Sequence, residues 1–414
     1  MQKANGPATT QQYVSTCQST THILPWPNSF RATLGLIDHK TCHVCHRKSH
    51  VTSSSLGVCL NCIRNNYDET QPHIFEAHRN VRRSFGLPAS PPRTRNGFPC
   101  SLCANECVIG DGDRGYCGLR EYSRGRLVSI SSANEAALSY YLDPHVTNCC
   151  SAWFCPGGTG AGYPKHAYKK GPELGYCNLA IFFYGCNFDC LFCQNDSHKR
   201  LEQARLCNSE ELISTTLKND RISCWCFFGG SPEPQLPFAI SAAKTALEMK
   251  SQDRILRICF EWNGAGNGTL VEKAAELALR SGGNIKFDLK CKTDSLSMAL
   301  SGVSNQRSFE NFERLFRLYG NERRNVPLLT ASTLLVSGYV DDQEVEAVSR
   351  FLADLDRDIP YSLLVFHPDF MMDDLPVTPV QQVKDCYEAA KKHLRKVNIG
   401  NLASLGLSQR DFLQ

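Results

Sequence analysis

From about residue 179 onward, short apolar runs alternate with longer stretches whose apolar residues recur every three or four positions. Leu179–Tyr184, Ile222–Phe228, Ile255–Phe260, Ile285–Leu289, Leu328–Val336 and Ser362–Phe366 predict buried strands, with Val397–Ile399 a candidate seventh. Between them Leu270–Leu279, Phe309–Leu318, Asp342–Leu355 and Pro379–His393 read as helices, and Asn208 with Glu211 three residues later marks another helix start. Regular strand–helix alternation implies a parallel sheet, open or curled into a barrel. Active groups then belong at the carboxyl ends of its strands.

Ahead of residue 179 the periodicity fades and four zones separate. Residues 1–40 are polar and acid-poor and are expected to be a poorly ordered leader. Residues 41–65 hold two Cys-x-x-Cys pairs, and residues 66–96 read as a basic linker rich in Arg and Pro. Residues 97–178 form an irregular region with eight cysteines, and 179–414 the strand–helix repeat. The chain is 42% hydrophobic and 21% charged, which excludes wholesale disorder, collagen and coiled coil. A net charge of +4 is too mild to imply a nucleic-acid partner. No 18-residue apolar stretch or signal-peptide core is present, so the reading is a cytoplasmic protein without a membrane partner.

There are 22 cysteines in 414 residues, and a reducing compartment turns such residues into metal ligands or redox groups. The first predicted strand runs directly into Cys186-x3-Cys190-x2-Cys193. Three thiolates on one tight loop can wrap a cubic iron–sulfur cluster, each sulfur on a different iron, leaving the fourth iron open to bind a substrate. Cys42-x2-Cys45-x13-Cys59-x2-Cys62 has zinc-ribbon spacing and predicts a structural zinc, with a rubredoxin-like iron as competitor. Cys100, Cys103, Cys107 and Cys117 could hold an auxiliary iron–sulfur cluster, a second zinc or nothing. Cys149, Cys150, Cys155 and Cys177 are able to join or replace them. Cys224, Cys226 and Cys259 lie inside apolar strands, where a free cysteine usually behaves as a small hydrophobe.

The triad, with Phe188 and Phe192 around it, resembles the signature of the radical S-adenosylmethionine (SAM) enzymes. That resemblance implies a partial (β/α)6 barrel of the TIM-like type, here with a cysteine-rich, ribbon-like N-terminal extension. It implies a 4Fe-4S cluster on Cys186, Cys190 and Cys193, with S-adenosylmethionine bound to the open iron. One electron then splits the sulfonium to a 5'-deoxyadenosyl radical that abstracts hydrogen from a substrate. Gly229, Gly230 and Glu233 resemble the family's Gly-Gly-Glu-Pro segment near the methionine ammonium, although Ser231 and Pro232 intervene. Glu261 and Asn263 resemble a Glu-Thr-Asn-Gly near the nucleoside, with Trp262 in place of the small residue. Asp288 and Lys290 resemble the Asp-Leu-Lys of the pyruvate formate-lyase activating enzyme. The run from Cys100 to Arg120-Glu121, and the end from Phe366 to Asn401, resemble the AmmeMemoRadiSam proteins of the same group. His367, just after the sixth strand, is a candidate to line the site.

Taken together, these features predict a radical SAM oxidoreductase of the activating type acting on a protein, served by a flavodoxin- or ferredoxin-like reductant. Modification of a peptide, RNA or small molecule with an auxiliary cluster is the alternative. A non-enzymatic iron–sulfur and zinc protein that carries electrons or binds nucleic acid is a third reading.

Overall fold

The computed structural model describes residues 39–412. All but the last two positions of the expected leader, and Cys17 with them, lie outside the described residues.

Ahead of the sheet comes helix α1 (Tyr67–Ser84). One nine-stranded sheet then organises the chain: β1 (Glu135–Pro144), β2 (Cys177–Phe183), β3 (Leu206–Asn208), β4 (Ile222–Gly229), β5 (Arg257–Trp262), β6 (Ile285–Asp288), β7 (Leu329–Leu335), β8 (Tyr361–Val365) and β9 (Val397–Gly400). Their order is β9-β8-β7-β6-β5-β4-β2-β1-β3. All seven strands expected from the apolar runs are present and parallel. β1 adds antiparallel to β2, and β3 antiparallel to β1. Helices α2 (Ser209–Leu217), α3 (Leu236–Met249), α4 (Gly268–Ser281), α5 (Asp294–Ser301), α6 (Gln306–Tyr319), α7 (Asp342–Leu355) and α8 (Val380–Lys391) fill the crossovers. The expected cap at Asn208 is made, its side chain accepting the Glu211 N–H at 2.9 Å.

Alternation along these strands separates two faces. Ile181, Phe183, Trp225, Phe227, Ile258, Phe260, Ile285 and Phe287 point outward beneath the helices and are fully buried. Phe183, Phe227 and Phe260 stack across three strands at 5.8 and 5.1 Å, which fixes their register. Small residues of α3 and α4, among them Ala242, Ala243, Ala274 and Ala278, let the helices approach that layer closely. The opposite face carries Asn178, Arg257, Glu261, Lys286 and Asp288 and lines a cavity. The sheet is therefore a partial barrel with an apolar outside and a polar lumen.

Residues 66–96, expected as a basic linker, instead carry the 18-residue helix α1. Thr70, Ile74, Ala77, His78 and Val81 recur at helical spacing on its buried face, and Arg82 is buried with them. The arginine-rich composition belongs to the outer face and to one internal ion pair. Four other elements depart from the sequence reading: α3, whose start is masked by Pro232, Pro234 and Pro237, the short α5, and the added strands β1 and β3.

Candidate active site

The lumen is a cavity of about 640 Å³. The loop after β2 forms its upper rim and places Cys186, Cys190 and Cys193 on the cavity wall. Gly185 enters this loop with φ +78°, and a Cβ there would meet the Cys117 carbonyl at 3.0 Å. Burial pushes all three thiols above their ordinary range, Cys193 to about 12. Such sulfurs become thiolates only beside cations, which is what the irons of a cluster supply. Among the described residues only the ribbon cysteines are gathered within 4.8 Å as a single ion requires. The triad's wider spacing fits a cluster, in which each sulfur meets its own iron.

Asp189 sits between the first two triad cysteines and is fully buried. Its carboxylate accepts from Lys199 at 2.5 Å and meets the His78 ring nitrogen at 2.8 Å and Arg82 at 3.4 Å. Burial opposes this charge, but Lys199, His78 and Arg82 together hold the carboxyl well below the usual carboxylate range. Arg82 also donates to the Tyr116 carbonyl at 2.5 Å and lies 3.4 Å over the Tyr116 ring. Helix α1 thus grips the cluster loop from behind. Asp189 was visible inside the triad motif, but its partners lie on segments that no local pattern connects to it.

Six of the eight residues expected to bind the cofactor line the cavity: Gly229, Gly230, Glu261, Asn263, Asp288 and Lys290. Asn263 donates to Asn187 at 2.7 Å and to the Ser231 hydroxyl at 3.0 Å, tying the rim loops after β4 and β5 to the cluster loop. Lys290 pairs with Asp288, whose other oxygen accepts from Ser332 at 3.2 Å, and lies 5.5 Å over the Phe192 ring. Glu261 accepts from Lys286 at 3.0 Å and from the Cys149 thiol at 2.7 Å. Glu233 is elsewhere: it lies fully buried beneath the rim, accepting the Gly264 N–H at 2.6 Å. Burial outweighs its hydrogen bonds and pushes its carboxyl up to about 7. His367 also stands behind the wall, touching Gln194 at 3.0 Å and Asp369 at 2.9 Å.

Cys42 and Cys62 approach to 3.8 Å, as do Cys45 and Cys59. A tetrahedral ion with metal–sulfur bonds of about 2.3 Å sets its sulfurs about 3.8 Å apart, so the four fit one zinc or iron. Burial raises the Cys42 thiol, but the N–H groups of Cys45, Cys59 and Val44 prevail and bring it to about 7. The ribbon docks beyond the end of β7. Tyr339, fully buried, donates to the Val58 carbonyl at 2.8 Å, and Arg64 grips Asp341 at 2.7 Å and Glu344 at 2.8 Å. Glu344 in turn accepts the N–H groups of Lys292 and Thr293, just after the Asp288–Lys290 pair.

Cys100, Cys103, Cys107 and Cys117 are neighbours over the cluster loop. Burial raises the Cys103 thiol, and the other three oppose its ionisation further. Cys149, Cys150 and Cys155 do not join them; they lie on the cavity wall. Cys224, Cys226 and Cys259, read from the sequence as small hydrophobes, face the same cavity instead of the apolar layer. A bulge between Ile222 and Cys224 shifts the register of β4 at its start. The segment that carries Cys149, Cys150 and Cys155 is fastened by a buried pair, Glu173 with Arg257 of β5, at 2.7 and 2.9 Å.

Residues 180–352 match the radical SAM superfamily. An uncharacterised protein of Methanocaldococcus jannaschii is 22% identical over 315 residues, 74% of this chain and 82% of its own length. Another protein of that archaeon, whose name marks it as a provisional glycyl-radical enzyme activating enzyme, is 24% identical over 57% of this chain and 90% of its own. Among solved structures, Streptococcus suis SuiB bound to its precursor peptide SuiA superposes with a TM-score of 0.41 at 11% identity, over 53% of this chain and 47% of that one. A domain of a pyruvate-formate lyase-activating enzyme from Bacteroides vulgatus gives 0.33 at 19% identity, over 42% of this chain and 98% of its own. The stretch that matches the radical SAM superfamily, residues 180–352, thus begins in the first parallel strand and takes in the whole cysteine triad that follows it.

Proposed function

We propose that this protein is a radical SAM enzyme of the activating type that takes hydrogen from a protein substrate. The observation that carries the reading is the convergence on one rim of three high-pKa thiols, the Gly229-Gly230 turn, Asn263 and the Asp288–Lys290 pair. A 4Fe-4S cluster on Cys186, Cys190 and Cys193, with S-adenosylmethionine on its open iron, would supply the 5'-deoxyadenosyl radical.

The protein's own residues position and shield. Asn263 locks the rim loops to the cluster loop, and Asp288 and Lys290 offer one charge of each sign to the amino and carboxylate ends of a zwitterion. The floor segment fastened by Glu173 excludes water from below, so a substrate enters over the rim. Glu233 supports the Gly264 turn from beneath and is assigned that role in place of direct cofactor contact. In the ribbon we assign a structural zinc, and an electron from a flavodoxin- or ferredoxin-like protein completes the reaction. Anaerobically reconstituted, reduced protein given S-adenosylmethionine is expected to release 5'-deoxyadenosine, and Cys190→Ala to release none. A loaded cluster that yields no 5'-deoxyadenosine overturns the reading. Modification of a peptide or small molecule is the second reading, favoured by the neighbouring Cys100, Cys103, Cys107 and Cys117.

A further inference from the structure

Six cysteines with no part in the triad face the lumen: three on the inner face of β4 and β5, three on the floor segment. They do not pack as hydrophobes do. Their surroundings are Asn178, Arg257, Glu261 and Lys286, and the Cys224 sulfur itself lies 3.4 Å from the Asn178 carbonyl and 3.6 Å from the His145 ring. Two separate segments thus bring thiols into one polar space. Soft metal chemistry accounts for such a set better than packing does.

We propose that Cys155, Cys224, Cys226 and Cys259 hold a second iron–sulfur cluster in the lumen. Cys226 and Cys259 are direct partners in the register of β4 and β5, which sets their Cα atoms about 4.8 Å apart. Cys224 lies two residues before Cys226 on the same strand and face, about 6.6 Å away, and diagonally about 8 Å from Cys259. Cys155 closes the set from the floor: its Sγ accepts the Gly158 N–H at 3.3 Å, and it is near enough to Cys224 and Cys259 to oppose their ionisation. A single ion does not suit this spread, since among the described residues only the ribbon gathers its sulfurs within 4.8 Å. A cluster does, because each thiolate meets a different iron. Arg257, on the same face as these thiols, is engaged by Glu173. The site lies about 10 Å below the Gly229 rim, three residues along β4 from Cys226. The proposal extends the activity proposed above and stands apart from it.

The test uses the full chain, reconstituted anaerobically with iron and sulfide. Iron and acid-labile sulfide per chain are measured, with paramagnetic resonance spectra of the reduced protein before and after S-adenosylmethionine. Cys226→Ala/Cys259→Ala is expected to lose about two to four iron per chain and as much sulfide, while keeping the signal that shifts with S-adenosylmethionine. Cys186→Ala/Cys190→Ala/Cys193→Ala is expected to lose that signal and keep the lumenal iron. Iron and sulfide unchanged in the first variant overturn the proposal, as does stoichiometric zinc in their place. Should the alanine pair fail to fold, Cys226→Ser keeps the shape; a lost or spectrally altered second cluster supports the site, and an unaltered one overturns it. Failure of the radical SAM reading shows differently, as a reduced wild-type signal that S-adenosylmethionine does not move.

Discussion

Glu173→Ala tests how the floor of the lumen is held. Glu173 is fully buried and Arg257 is 2% exposed in its side chain. The carboxylate accepts from both terminal guanidinium nitrogens, from the Tyr168 N–H at 2.8 Å and from the Ser223 hydroxyl at 2.8 Å. Removing it leaves a charged Arg257 with only the His166 carbonyl at 2.9 Å and the Ser223 hydroxyl at 2.9 Å. Breaking a buried pair in this way costs about 3–5 kcal/mol, which for a chain of this length corresponds to a fall in the unfolding midpoint of about 3–6 °C. Glu173→Gln, which keeps an acceptor but no charge, is expected to fall about half as far. The assay is a thermal melt of both variants beside the wild type from pH 3 to 8. Burial raises the Glu173 carboxyl, but the Arg257 hydrogen bonds and charge prevail and hold it below its ordinary value. The stabilisation is therefore present above the unfolded carboxylate pKa and is lost as pH falls through the lower folded value, so the gap between wild type and Glu173→Ala narrows only in acid. A melt lowered by less than about 2 °C, or a gap unchanged down to pH 3, would refute the argument.

Three further outcomes are expected. The Glu233 carboxyl is raised from 4.5 to about 7, so the folded state binds the extra proton and stability falls by about 3 kcal/mol as pH rises between those values; Glu233→Gln removes this slope in denaturant titrations at pH 5 and 8, and an identical slope in both proteins contradicts it. Cys45→Ser is expected to lose one metal ion per chain by elemental analysis, and full retention would count against the tetrahedral site. Gly264 has φ +80° and a Cβ there would run into the Phe287 ring, so Gly264→Ala is expected to destabilise by about 1–3 kcal/mol in chemical denaturation and to weaken S-adenosylmethionine binding in calorimetry through Asn263.

The repeat from residue 179 was legible because its signals are local. An apolar run of five to nine residues, an Asn208 cap and a Cys-x3-Cys-x2-Cys loop each occupy one stretch of chain. What the sequence concealed depends on partners far away. Arg82 reads as one more solvated charge until Asp189, more than a hundred residues on, is placed against it. Cys224 and Cys226 sit in the run ISCWCFF, where apolar character signals burial but not which face is covered by helices and which borders a cavity. Glu233 is a further case: a motif likeness suggests a ligand contact, and its carboxylate lies under the turn and accepts the Gly264 N–H.

The grip of α1 on Asp189 has a consequence for the order in which the protein can be made. His78 and Arg82 leave the ribosome well before the cluster loop, and Lys199 shortly after it, so the anion meets all three partners only once the earlier segment has waited and docked. A barrel begun at residue 179 would retain every triad cysteine yet bury a carboxylate short of two of its three partners. The loop that carries the triad thus has its buried anion fully compensated only with the N-terminal half in place.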